Sequence, residues 1–363
     1  MKVGIIGGGA LGLALAKILD VRKISYELFE RSLVGRKVLA SGNGKANIGN
    51  TNVYNYCYND SFGYELVKEY HNQLMIFFKE IGLVTKVDEE GRIYPYSESS
   101  QSVLNCLMPN PKNIVENFPI NSISQINGKY YLNDVRGPFD YLVICTGSKA
   151  SFIKKKQEGF NSYLDSLNLK MKEEYPSLVG FKLESNFNKL NGVRVKCNAK
   201  LIKDDKVLYS EAGEAIIKAD GISGICIMNL SSRYARLSDK SNCYISLDLI
   251  PDLDITIFDK KQLVGLFNPK LVDYLNNYSV EEINKLIKYF KFKITGVYDY
   301  EFAQVVSGGI SLDNIDKDLR LKEHNNIFVG GEALDIDGVC GGYNLMFAFS
   351  CALKIGDVLC NIK

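Results

Sequence analysis

The residues of this 363-residue chain whose types and spacing could do chemistry sit in two glycine-rich stretches far apart in the sequence. In KVGIIGGGALGLALAKILD, Gly7, Gly9 and Gly12 make a G-x-G-x-x-G pattern, and Glu30 follows at the end of SYELFE. The first glycine allows a tight turn, the second lets a pyrophosphate reach the backbone, and the third lets a helix starting near Ala10 pack on the strand before it. A carboxylate at position 30 can accept hydrogen bonds from both hydroxyls of an adenosine ribose, and it disfavours a 2′-phosphate. FAD or NAD therefore fits this pattern better than NADP. The second stretch is GGEALDIDGVCGGYNLMFAFS, residues 330–350, where glycines and carboxylates precede an apolar helix. A helix N-terminus has unpaired N–H groups and stabilises anions, such as the N1/C2=O edge of a reduced flavin. Gly341 and Gly342 would let a planar ring lie against those amides, and a strand-end carboxylate could hold the hydroxyls of a ribityl chain.

Several elements must position these residues. Lys2–Ile6 reads as a buried strand, residues 10–19 as a helix and SYELFE as a second strand, which together open a βαβ unit. The next segment, RSLVGRKVLASGNGKANIGN, does not continue the alternation of helix and strand. Its glycines and asparagines describe an extended loop with free backbone donors, suited to running along a long polar ligand. That favours FAD over a nicotinamide cofactor in this site. Residues 62–82 form an amphipathic helix with His71 at the edge of its apolar stripe, and His71 is given no role. PINSISQINGKYYLND reads as a hairpin about Asn127-Gly128, and FDYLVICTGSKA as a strand ending at Thr146-Gly147, where a backbone can approach a dinucleotide.

The texture changes from about residue 170. Short alternating segments over 171–257 read as a small antiparallel barrel or sandwich, and residues 258–294 as a helical insert with a Ser279/Glu282 capping box. The expected organisation is α/β: a discontinuous Rossmann-like domain, 1–170 and 295–363, interrupted by the barrel-like and helical modules.

Composition narrows the function classes. With 44 basic and 42 acidic side chains the formal charge is +2, which points to no nucleic-acid or anionic membrane partner. The basic run Lys154–Lys156 reads as a solvated face. Nine cysteines form no CxxC and, with two histidines, no metal cluster, so no metal is expected and a reducing cytoplasm fits best. The glycines at 7–9 would break a signal-peptide helix, and no run of about 18 uninterrupted apolar residues suggests a membrane span.

Taken together, GGGALG (7–12), GRKVLASGNGKAN (35–47), GISG (221–224), FAQVVSGGI (302–310) and GGEALDIDGVCGGYNL (330–345) make the chain resemble the HI0933-like family of FAD-dependent flavoproteins. The resemblance covers nearly the whole chain. It implies FAD extended across a two-dinucleotide-type fold, with Gly7, Gly9 and Gly12 at the pyrophosphate, Glu30 at the ribose, and Ala10 and Arg31 also among the cofactor-binding residues. It also implies Arg36 and Lys37 on the phosphate side, and Ser41, Gly42, Asn43, Gly44 and Asn47 on the flavin side. Thr146, Gly147, Gly331, Glu332, Asp335, Gly341, Gly342, Tyr343 and Asn344 would complete the enclosure. Catalysis would belong to the flavin, with Asn43, Lys45, Asn47 and Tyr343 as candidates lining it. The family loop usually reads Gly-Gly-Gly-Arg-Cys-Asn; here it is Asn43-Gly44-Lys45-Ala46-Asn47, and Lys45 keeps the charge of the arginine but not its planar fork.

The expected activity is hydride transfer between a small organic substrate, or NADH or NADPH as a transient donor, and flavin N5. No second G-x-G-x-x-G follows a strand, so no dedicated nicotinamide domain is expected. Cys340 has no partner at CxxC spacing and reads as a packing residue. The alternative is a flavin-binding redox sensor or assembly protein without turnover. An RNA-modifying flavoprotein is a third reading, opposed by the neutral composition. The sequence leaves the oligomeric state open.

Overall fold

A computed structural model describes residues 1–151 and 160–362, and the Lys154–Lys156 run lies outside the described residues. The described chain divides into two compact units. The first contains residues 1–149, 160–174 and 308–362; the second contains 175–307 together with 150 and 151.

The first unit is built on a five-stranded parallel sheet. Strand β1 (Lys2–Ile6) is its centre because its apolar run can be buried on both faces, and the helix α1 (Ala10–Val21) returns the chain to β2 (Ser25–Phe29). With β3 (Ile114–Val115), β4 (Tyr141–Ile144) and β5 (Ile327–Val329), the spatial order is β5-β4-β1-β2-β3, every pair parallel. Two more helices, α2 (Ser61–Glu80) and α3 (Tyr343–Cys360), pack on each other, and α3 packs on α1. The core joins Val3, Ile5, Leu28 and Phe328 of the sheet to Leu13 of α1 and Phe347 and Phe349 of α3. Close approach of the two helices is set at one glycine: a Cβ on Gly356 would stand 2.9 Å from Cγ2 of Ile18. Helix α3 is long and apolar enough, by length and composition, to cross a membrane, which the sequence reading did not anticipate; in this fold it is a core helix with ten buried residues.

Two small antiparallel sheets complete this unit. Gly49–Asn50, Arg92–Pro95 and Thr85–Val87 form one. Ile123–Ile126, Lys129–Leu132 and Arg136–Phe139 form the other, and its first turn is Asn127-Gly128 with φ of 50° and 77°. Both central residues are left-handed, as a tight hairpin of matching twist requires.

The second unit holds a closed antiparallel barrel of six strands: Phe181–Leu183, Gly221–Ser223, Lys206–Ile217, Arg194–Lys203, Cys243–Asp248 and Phe290–Val297. Phe181–Leu183 closes it by pairing on both sides. The interior is filled by Ala199, Leu201, Ala215, Ile217, Ile245, Leu247 and Phe292. Here the expected boundaries shift. The helix Val280–Lys288 ends before FKFKIT, whose period-two alternation makes it the sixth strand, Phe290–Val297. The helical segment is thus an excursion between two barrel strands rather than a module that follows the barrel. The chain divides at 174/175 and 307/308, where the sequence suggested 170/171 and 294/295. Met171–Ser177 and Val305–Ile310, which carry the chain across these positions, pair as a two-stranded sheet.

Candidate functional site

The glycine turn after β1 is sterically fixed. Gly7 has φ +110°, its N–H donates to the Phe29 carbonyl at 2.8 Å, and a Cβ there would lie 2.5 Å from the Cys145 carbonyl oxygen. At Gly12 a Cβ would stand 1.9 Å from the Gly7 carbonyl oxygen, so the helix can approach the turn only without a side chain. Gly9 differs: nothing lies within 4 Å of its Cβ position, and its φ of −85° would suit any residue. The fold does not require glycine at position 9, but a ligand close against the backbone would. Ala10 opens α1 directly beside it.

Glu30 ends β2 with its carboxylate accepting from the Gly8 N–H at 2.9 Å and from the N–H and hydroxyl of Ser32 at 3.0 and 3.2 Å. These bonds hold the acid at the open side of the turn. Arg31 lies 5.6 Å over the Phe160 ring, and Arg36 is exposed with its guanidinium 3.5 Å from the Ser32 hydroxyl. The segment expected as an extended loop instead forms a short helix, Arg36–Ala40, because Gly35 at φ +72° turns the chain into a run of good helix formers. Lys37 on that helix donates to the Ser148 carbonyl at 2.8 Å and pairs with Glu332 at 3.4 Å. Gly147 lies beside this pair, its Cβ position 3.7 Å from both Lys37 Nζ and Glu332 Oε2. Thr146 precedes it, just beyond β4. The other Glu332 oxygen, Oε1, is buried without a hydrogen-bond partner.

Ser41–Gly44 is a 3₁₀ turn in which Gly42 and Asn43 are left-handed, at φ 55° and 54°, and the Ser41 hydroxyl donates to the Val38 carbonyl at 2.6 Å. Gly42, Asn43 and Gly44 are exposed, and a Cβ on Gly44 would meet nothing within 4 Å. Lys45 turns away, with Nζ 2.7 Å from Glu98, a carboxylate that Lys45 and Lys86 together hold down at about 2. Asn47 faces the other way. In the orientation that satisfies its amide, it donates to Gly49 O at 2.9 Å and accepts from Gly342 N at 3.2 Å.

This brings the second glycine stretch against the 41–50 loop. Gly341 and Gly342, at φ +132° and +96°, lead into α3, and a Cβ on Gly342 would fall 2.5 Å from the Gly49 carbonyl oxygen. Asn50, which is buried, donates to the Gly341 carbonyl at 3.1 Å. Tyr343 is 6% exposed, and its hydroxyl donates to the Asn52 carbonyl at 2.6 Å. Burial, reinforced by Cys57, Tyr56 and Tyr54, pushes its phenol pKa far up. Asn344 exchanges two hydrogen bonds with the backbone of Gly338, at 2.8 and 2.9 Å. Asp335 accepts from Gly308 N at 3.0 Å. Gly331, at φ +65°, donates to the buried Cys351 sulfur at 3.4 Å; burial raises that thiol to about 12. The side chains of Lys45, Tyr343, Asn344 and Asp335 thus bond to protein, while Gly42, Asn43 and Gly44 stand exposed beside Lys45. Asn50, Tyr58 and Asn59 were not foreseen as anchors. The recurrence of Asn at 47, 50 and 52 was a visible signal, but Gly342, Gly341 and Tyr343, which these residues meet, lie nearly 300 residues away.

A family model, the HI0933-like protein Rossmann domain, matches residues 1–358. The chain belongs to the HI0933-like family. It is an FAD-dependent oxidoreductase by that membership. A 3-dehydro-bile acid delta(4,6)-reductase of Clostridium scindens is 27% identical over 98% of each chain, and a ribosomal RNA dihydrouridine synthase of Haemophilus influenzae is 22% identical over 97% of each. Among solved structures, the open conformation of a flavocytochrome c3 fumarate reductase aligns over 99% of this chain and 78% of its own, at 12% identity and a TM-score of 0.47. That likeness does not distinguish one reaction from another.

The residues of this HI0933-like chain fit the cofactor. Gly9 and Gly44 leave space where side chains would otherwise stand, the first turn of α1 offers backbone donors, and Glu332 keeps a buried oxygen without a protein partner. The turn at Gly7–Gly12 would hold the pyrophosphate, Glu30 the ribose, and the Gly42–Gly44 and Gly341–Gly342 backbones the flavin end.

Proposed function

We propose that this flavoprotein is a reductase that moves a hydride between NADH or NADPH and a small conjugated organic substrate by way of FAD. Bound flavin supplies the hydride chemistry at its N5. The observation that carries the reading is the glycine cradle itself: Gly9 is left without a side chain by no requirement of the fold, and three ionisable groups that follow it in the chain are tied to protein. Glu30 is held by Gly8 and Ser32, Lys37 by Ser148 and Glu332, and Lys45 by Glu98. The chain's contribution is then to bind, orient and polarise rather than to relay protons through a side chain. A relative that reduces 3-dehydro-bile acids, aligned end to end, supports a conjugated ketone as the acceptor.

Anaerobic titration of the holoprotein with NADH and then NADPH tests this. Bleaching of the band at ~450 nm by one of them, and its return on adding a 3-oxo-4,6-diene steroid acid, is the expected result. A flavin that stays oxidised with both donors returns the choice to an oxidase or to the redox-sensor reading.

The dihydrouridine synthase relative favours a second reading, in which the acceptor is a uracil ring in ribosomal RNA. The near balance of 44 basic and 42 acidic side chains opposes it, because binding a phosphate backbone draws on a surplus of cations. No retardation of ribosomal RNA at low salt is expected; retardation that weakens steeply with salt would support the RNA reading.

A further inference from the structure

Residues 51–57 form an arch fixed at both ends to the stretch that leads into α3. At its near end Asn50 donates to the Gly341 carbonyl at 3.1 Å, and the Tyr343 hydroxyl reaches the Asn52 carbonyl at 2.6 Å. At its far end Val339 N donates to the Cys57 carbonyl at 2.9 Å, Asn59 N to the Asp337 carbonyl at 3.1 Å, and the buried Tyr58 hydroxyl to the Tyr343 carbonyl at 2.8 Å. Within the arch the Tyr54 N–H donates to the Cys57 sulfur at 3.4 Å and the Cys57 N–H returns to the Tyr54 carbonyl at 3.0 Å. The backbone between the anchors is therefore stiff.

What this arch presents is aromatic. Tyr54 and Tyr56 stack with centroids 5.3 Å apart and planes within 9°, yet they stay 47% and 62% exposed. The other two tyrosines of the neighbourhood, Tyr58 and Tyr343, are buried in the anchors. Two parallel rings stacked at the solvent edge of a clamped arch leave much apolar ring surface exposed, and large exposed apolar features of this kind mark binding sites more often than scattered single residues do. The arch is clamped to the segment from Asp337 to Tyr343, which contains Gly341 and Gly342, the backbones that would meet the flavin end of the cofactor.

We infer that Tyr54 and Tyr56 are a stacking platform for a small molecule carrying a flat, conjugated ring, at the entrance to the flavin end of the site. The placement rests on the proposed flavin reading, whereas ring binding is measurable without turnover. The ring has two possible sources, the organic substrate or the nicotinamide of the donor, and both have the same stacking chemistry.

Equilibrium dialysis of the oxidised FAD holoprotein tests it, with menadione as the planar probe, NADH and NADPH as the nicotinamide probes, and cyclohexanecarboxylate as a puckered control. In the double variant Tyr54→Leu, Tyr56→Leu, affinity for at least one planar probe falls about 10-fold, consistent with the usual worth of ring stacking. Tyr54→Phe, Tyr56→Phe restores it, and the control does not change. A loss confined to menadione assigns the platform to the substrate; a loss confined to NADH or NADPH assigns it to the donor. Unchanged affinity for all three planar probes overturns the inference. So does loss of FAD from the leucine variant, which would make the rings part of the cofactor's own scaffold. Neither result depends on whether NADH or NADPH bleaches the flavin.

Discussion

At the scale of single residues, two glycines of one motif separate cofactor from fold. Gly9→Ala adds a methyl where the protein has nothing within 4 Å, so the apoprotein should keep its melting temperature while FAD affinity drops at least about tenfold. Gly12→Ala drives a Cβ toward an oxygen 1.9 Å away and should lower both. Thermal melts of the apoproteins and FAD titrations check the pair; equal effects of the two substitutions would contradict a ligand at Gly9. Glu30→Ala removes a charged acceptor from Gly8 and Ser32 as well as from a ribose, and should weaken FAD retention by roughly tenfold or more, since such bonds are worth about 1.5–3 kcal/mol. Cys340→Ser should leave retention intact, and flavin content after gel filtration reads both. The turn that joins residues 7, 9, 12 and 30 was legible in the sequence because its contacts are local and fix its spacing. Asn50, Tyr58 and Asn59 were not, because an asparagine in a loop shows nothing of a partner at Gly341 or Asp337 until the chain has folded.

Among elements, the start of α3 is where the second glycine stretch meets the 41–50 loop. Gly342→Ala places a methyl 2.5 Å from the Gly49 carbonyl at a backbone φ of +96°, and disturbs the amide of Asn47 in the same stroke. The expected cost is of order 1–3 kcal/mol of stability together with loss of flavin. A denaturant titration paired with the flavin spectrum measures both, and a variant as stable as the parent would show that the loop can move aside. Elements with a clean period were readable from sequence: β1, α1, β2, α2 and the Asn127-Gly128 hairpin stand where periodicity and turn residues put them. The sixth barrel strand was misread because Ile287, Phe290 and Phe292 satisfy a helical stripe and a strand alternation about equally. Closure of the barrel decides between them, and closure is a non-local event. The Arg36–Ala40 helix was missed for another reason, since five residues are too few for a period to show.

For the molecule as a whole, titration follows from buried thiols. Burial holds Cys351 at about 12 and Cys145 well above its ordinary value, whereas both would ionise near 9 in the unfolded chain. Above that pH the unfolded state binds fewer protons than the folded one, so stability falls as pH rises from about 9 toward 12, by about 1 kcal/mol per pH unit for each such thiol. Melting temperatures should be flat from pH 7 to 8.5 and decline beyond it; a curve flat to pH 11 would mean that water reaches these sulfurs. The division into a sheet unit and a barrel unit was visible as a change of texture near residue 170, and its return was blurred by the misread strand.

The chain leaves the sheet unit near residue 174 and re-enters it near 308. On the ribosome, this order has a consequence. By the time the first 149 residues have emerged, β1, β2, β3 and β4 exist, but β5 and the core helix α3 are still to be synthesised. The barrel, encoded wholly between those points, can close while that apolar sheet waits uncovered. At about 5–20 residues per second the wait lasts on the order of ten seconds. The nascent chain thus passes through a stage at which the face later covered by α3 is open, so a holding chaperone would find its substrate there, and the cofactor cannot be enclosed before α3 arrives.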